Sequence, residues 1–123
     1  MLEAQGLTNT LVQQTLLGEA VATAGVGFVL WDDDRRYVAA NLAACELLGC
    51  SLEELIGSTV GTRTRGGSEV VAHVVQQQLA RGRVTVDRFD GGGTVELEYV
   101  TFPTKAAGLP YMGSVIWREQ PAE

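Results

Sequence analysis

Few residues in this 123-residue chain are of types that do chemistry, and their spacing limits what each can do. His73 is the single histidine, and Cys45 and Cys50 are the two cysteines. Zinc asks for about four nitrogen or sulfur ligands around one point. One imidazole and two thiols fall short, so the cysteines read as small apolar side chains, with thiol oxidation the alternative. Asp32, Asp33 and Asp34 are consecutive on a tight turn, whereas hard cations want spaced oxygens wrapping one centre; they read as solvated acids and no metal site is expected. Gly91-Gly92-Gly93 lacks the Lys-Ser/Thr and the strand-to-helix setting of a phosphate loop and reads as a turn. Arg63 and Arg65 stand in a glycine-rich loop where an anionic group could meet them, though a solvated loop is the plainer reading. No nucleophile stands beside a base, so the chain is not expected to be an enzyme.

The bulk composition narrows the class further. At 46% hydrophobic and 20% charged, the chain reads as one globular domain. Its net charge of −6, with nine dispersed basic residues, argues against nucleic acid or an anionic membrane as partner, since both need clustered Lys and Arg. The longest apolar run, Ala20 to Trp31, is broken by Thr23 and two glycines. It is shorter than the ~20 residues a bilayer requires. The first basic residue is Arg35, so the positive region of a secretory signal is missing. Two cysteines do not make a disulfide framework, and a cytoplasmic location is expected.

The elements that must carry these residues follow from periodicity and punctuation. Residues 3–22 are good helix formers, and their apolar members Leu7, Leu11, Val12, Leu16, Leu17 and Val21 spread around most of the helix instead of forming one stripe. Such a helix must be covered on more than one side. Val26 to Trp31 and Arg36 to Ala40 read as a hairpin closed by the Asp turn. Asn41 caps a helix running to Leu48, with Gly49 in the position after its end. Ser51-Leu52-Glu53-Glu54 is a capping box opening a short helix that ends near Gly57. Thr59 to Gly67 reads as loop. Ser68 caps a third helix running to Arg81, whose apolar face carries Val70, Val71, Val74, Val75 and Leu79, with Gln78 in its middle and His73 on the far side. Arg83 to Phe89 and Thr94 to Thr104 flank a glycine-rich hairpin loop, and Leu109 to Arg118 is the last strand, after a loop at 105–108. The expected fold class is α+β: a five-stranded antiparallel sheet with helices on one face and an N-terminal flanking helix.

In this order the elements resemble the PAS (Per-Arnt-Sim) domain family, from about Ala24 to Glu119. Asp32 ends the first hairpin strand and Asn41, nine residues on, opens the first helix. Ala43-Ala44, Leu47-Leu48-Gly49 and the 51–57 stretch follow. Asp90-Gly91 occupies the place of the family's hairpin turn, and Pro103, Gly113 and Arg118 fall where its last strands carry such residues. Asp32, Asn41, Gly49, Asp90 and Gly91 are therefore the structural motif residues. Two departures stand out: Arg35 replaces the usual glycine of the first turn, and Arg118-Glu119-Gln120-Pro121 replaces the closing Asp-Ile-Thr that couples many members to an effector.

The resemblance implies two units, a flanking dimerisation helix over 1–23 and a PAS domain over 24–119. It implies a sensory and protein-interaction module of a bacterial-type signalling protein (histidine kinase, cyclic-dinucleotide enzyme or transcription regulator), acting by homodimerisation and signal input. The helix residues Leu7, Leu11, Val12, Leu16, Leu17 and Val21 are the candidate dimer seam, and a downstream effector is the implied second partner. The alternative is a sensor holding a small apolar ligand between sheet and third helix, lined by Phe28, Leu30, Leu48, Val71, Val75, Gln78 and Val115. No cofactor is expected. Haem-binding members use a histidine on the third helix, and His73 is off the apolar face. Covalent flavin needs a cysteine that the 59–65 stretch lacks, and noncovalent flavin has nothing in its favour.

Overall fold

The computed structural model describes residues 4–119. Residues 1–3 of the flanking unit, and Gln120 and Pro121 of the closing segment, lie outside it. Five strands form one antiparallel sheet in the order β2-β1-β5-β4-β3. In chain order they are β1 (Gly27–Trp31), β2 (Tyr37–Ala40), β3 (Ala80–Asp87), β4 (Thr94–Ala106) and β5 (Leu109–Arg118). Three helices cover one face: α3 (Leu42–Leu48), α4 (Leu52–Leu55) and α5 (Gly67–Gln77). The five-stranded antiparallel α+β architecture read from the sequence is the one observed.

The N-terminal helix is in two pieces, α1 (Ala4–Leu7) and α2 (Thr10–Thr23). Asn9 divides the expected single helix, because its side chain accepts from the Leu11 and Val12 N–H groups and so caps a new start. The local signals that open α3 and α4 act as read. Asn41 Oδ1 accepts from Ala44 N–H at 3.0 Å and from Phe28 N–H at 2.9 Å, while its Nδ2 donates to Val26 O. One side chain thus caps α3 and fastens it to β1. Gly49 closes α3 at φ +72°, with the N–H groups of Gly49 and Cys50 both donating to Cys45 O, and Ser51 and Glu54 form the reciprocal capping box.

Two boundaries move at the far end of α5. The helix stops at Gln77 rather than Arg81, and β3 starts at Ala80. The cause is Gln78, at φ +67° and ψ −39°, where the Leu79 N–H reaches back to Gln77 O. This three-residue turn is seldom adopted and strained for a residue with a side chain. β4 also runs on to Ala106, leaving only Ala107-Gly108 as the turn, both at positive φ. That is the two-residue hairpin whose twist matches its strands.

The core lies between sheet and helices. Val29, Trp31, Val86, Val95, Leu97 and Ile116 face Ala44, Leu47, Leu48, Leu55, Val71 and Val74. Each such side chain stabilises by roughly 1.5–3 kcal/mol relative to exposure. Segment 57–66 then closes the domain. Its backbone bonds to β2 and its approach through Gly57, Ser58 and Val60, and to β3 through Arg63 and Arg65. β2 and β3 are the two edges of the sheet, so one segment covers both edges that would otherwise present unpaired backbone groups.

Candidate functional site

Helices α3 and α5, segment 57–66 and the inner face of the sheet line a cavity of about 90 Å³. Most of its wall is apolar: Val29, Leu48, Val71, Val74, Val86 and Leu97 among others. The polar wall groups fall into two sets. Trp31 Nε1 donates to Ser114 Oγ at 3.1 Å, and Ser114 shares a 2.8 Å hydrogen bond with Thr101, so this buried set is satisfied internally. Tyr37 and Tyr99 also line the cavity, and neither hydroxyl has a hydrogen-bond partner among the described residues. Gly82 makes room for the second ring, since a Cβ there would meet Tyr99 at 3.0 Å. Burial, and then the neighbouring Cys50 thiol, push the Tyr37 hydroxyl up to about 12, so it remains a proton donor at neutral pH.

One charged residue lines the cavity. Arg63 stands at its mouth on segment 57–66, with its guanidinium 4.5 Å from the centre of the Phe89 ring. The ring fixes the cation by its electron-rich face. Arg65, Arg83 and Arg88 each pair with a carboxylate; Arg63 has none among the described residues.

The sequence-predicted pocket residues separate into three groups. Leu48 and Val71 line the cavity. Phe28, Leu30 and Val115 do not: Phe28 pairs with Val115, and all three lie on the outer face with Phe102, whose ring meets Phe28 edge-on at 6.0 Å. The strand phase inferred from sequence is therefore one residue out, and Val29, Trp31, Ser114 and Ile116 take the inward places. Both faces of these strands are apolar, so alternation carries no phase there. Val75 and Gln78 border a separate, open groove of about 550 Å³ beside Asp32, Arg35, Lys105 and Tyr111. Gln78 is exposed because the helix has already ended, and its amide donates to Val75 O at 2.7 Å. Sequence reasoning missed Tyr37 and the Thr101–Ser114 pair. A tyrosine opening a short hairpin strand is the only signal that was available.

The remaining candidates are placed as follows. His73 is exposed on α5. Asp32, Asp33 and Asp34 bring oxygens within 4.8 Å of one another, but Asp32 Oδ1 already accepts the Asp34 and Arg36 N–H groups, which is turn chemistry. Cys45 and Cys50 are in mutual contact and unbridged; burial and the neighbouring thiol push Cys50 up to about 11, away from the reactive thiolate. Asp90 pairs with Arg88, whose guanidinium donates to the Glu46 and Leu47 carbonyls at the end of α3, and Gly91 turns at φ +75°. Of the expected dimer seam, Leu7, Leu11, Leu16 and Leu17 are exposed, and Val12 and Val21 are half-buried. No helix among the described residues is long and apolar enough to cross a membrane.

A five-stranded antiparallel sheet with helices closed over a small cavity defines an α+β domain. The family model for the PAS fold matches residues 21–105, and the chain belongs to that family. Solved structures agree on the fold. A PAS domain of an HTR-like protein from Haloarcula marismortui superposes with TM-score 0.73 at 14% identity, covering 87% of this chain and 92% of that one. A domain of a sensory box sensor histidine kinase/response regulator from Geobacter sulfurreducens gives 0.69 at 20% identity, over 91% and 99%. A light-oxygen-voltage domain studied with a flavin analogue gives 0.63 at 21%, over 93% and 87%. No curated protein matches the chain.

Proposed function

We propose that this chain is the sensory and protein-interaction module of a bacterial-type signalling protein, a histidine kinase, cyclic-dinucleotide enzyme or transcription regulator, and that it works as a homodimer in the cytoplasm without catalysis of its own. The observation that carries this reading is α2: fourteen residues of helix with no buried residue, Leu11 being 72% and Leu17 63% exposed. An isolated helix of that length is marginal in water, so its order needs a surface to cover it. The outer sheet face, with Phe28, Leu30, Phe102 and Val115, is of matching character, and a shift of α2 on it would pass a signal onward. Sedimentation velocity tests this. The chain sediments as a dimer, and Leu11→Glu with Leu17→Glu gives a folded monomer; a monomeric parent chain ends the proposal.

A second reading is favoured by the cavity. A mostly apolar wall that two tyrosines and one arginine also line suits a small bound molecule. At about 90 Å³ it is well below the roughly 300–1,000 Å³ of sites for drug-sized ligands, so a flavin or haem would require the walls to part.

A further inference from the structure

Resting on the reading that the cavity takes a ligand, we infer that the ligand is a short-chain carboxylic acid, with its carboxylate on Arg63 and its tail inside. The argument begins with charge. Arg63 is the one ionised residue of the lining, and no carboxylate among the described residues compensates it. It is also fixed, because Phe89 stacks on the guanidinium and the loop backbone is tied to β3 by the Asp87 N–H bond to Arg63 O. A held guanidinium with free N–H donors is the group that recognises a planar carboxylate through two parallel hydrogen bonds.

Volume and wall chemistry set the rest of the molecule. The cavity behind Arg63 measures about 90 Å³, and a cavity of about 150 Å³ holds benzene. That leaves room for a tail of about three to five carbons. Val71, Val74, Val86 and Leu97 supply an apolar wall with no charge that a second ionised group would need, which excludes dicarboxylates and amino acids. Tyr37 lines the same cavity, and its backbone is bonded to Gly57 and Ser58 of the segment that carries Arg63, so its phenol is a candidate further donor to the carboxylate.

The test is calorimetric titration of the full chain with butyrate, using acetate and butyramide as the tailless and uncharged controls. Butyrate binds, acetate binds at least about tenfold more weakly, and butyramide binds more weakly than butyrate. Arg63→Gln, at an exposed position, loses the contact with Phe89 and so lowers the melting temperature by a few degrees at most, weakens butyrate by about tenfold or more and leaves butyramide where it was. Equal binding of butyramide and butyrate, unmoved by Arg63→Gln, overturns the carboxylate assignment while a ligand cavity stands. No binding of any of the three, or binding that survives Val74→Leu filling the cavity, overturns the cavity reading together with it.

Discussion

α2 and α3 are successive helices, separated by the β1–β2 hairpin, and opposites in how they are held. α3 has seven residues, five of them buried, and both ends fixed by Asn41 and Gly49. α2 is twice as long and buries none. The difference lies in the distribution of apolar residues and not in their number. α3 concentrates Ala43, Ala44, Leu47 and Leu48 against the sheet, with Ala44 fully buried and so close to Gly27 that a Cβ there would sit 2.8 Å from the Ala44 Cα. α2 scatters Leu11, Val12, Leu16, Leu17 and Val21 around its circumference, so no single surface of its own domain can cover them. The first pattern builds a domain; the second leaves apolar side chains uncovered within the protomer.

Glycines expose the contrast most strongly. Gly67 begins α5 where that helix crosses segment 57–66, and a Cβ there would fall onto the carbonyl of Gly61. Since backbone cannot give way as a side-chain tip can, Gly67→Ala is expected to cost more than ~3 kcal/mol and to disorganise the segment carrying Arg63. Gly18 in α2 has nothing within 4 Å of its Cβ position. Gly18→Ala should raise helicity with a gain of up to ~1 kcal/mol. Thermal denaturation of the two variants beside the parent checks both signs; equal stability would break the claim that one region is packed and the other open.

Leucine truncations give the next largest effect. Leu48→Ala removes a buried side chain that also walls the cavity, and about 2–5 kcal/mol should be lost in urea unfolding. Leu17→Ala alters a side chain that is largely exposed in the protomer, so unfolding at low protein concentration should move within about 0.5 kcal/mol. Its effect should appear instead as a weaker dimer. A large loss from Leu17→Ala in the monomer would mean that α2 packs on its own sheet.

How much of this was legible depends on whether the determinant is local. Caps and turns are: Asn41, Gly49, the Ser51–Glu54 box and the Asp90 loop identify themselves because each satisfies backbone groups a few residues away. β5 could be bounded at Leu109 and Arg118 for the same reason. Strand phase is not local. Phe28 and Val29 are equally apolar, and only the helix layer decides which one turns inward. The end of α5 is decided by the strained turn at Gln78, while helix propensity and apolar period both run on past it. Arg63 was visible as a cation in a polar loop, but its place at a cavity mouth depends on segment 57–66 spanning from β2 to β3. No spacing along the chain encodes that.

The smallest expected effects are electrostatic and separate the inner wall from the surface. Tyr37, inside, has its hydroxyl raised by burial to about 12, against about 10 in an unfolded chain. A group with a raised folded value favours folding fully below pH 10 and loses that contribution as pH climbs toward 12. Stability should therefore fall across that alkaline interval, and Tyr37→Phe should flatten the fall. Asp90, at the surface, is held below the usual carboxylate range by the Arg88 guanidinium and then by the Gly92 N–H. Its sign is opposite: the contribution is present above pH 4, the unfolded value being about 3.9, and disappears as pH drops through the lowered folded value. Because this pair is exposed, salt screens it. The acid-side difference between parent and Asp90→Asn should shrink in high salt, whereas the alkaline difference between parent and Tyr37→Phe should persist. Urea midpoints at several pH values, at low and high salt, measure both; an alkaline difference that salt erased would place the Tyr37 hydroxyl in solvent and not in the cavity wall.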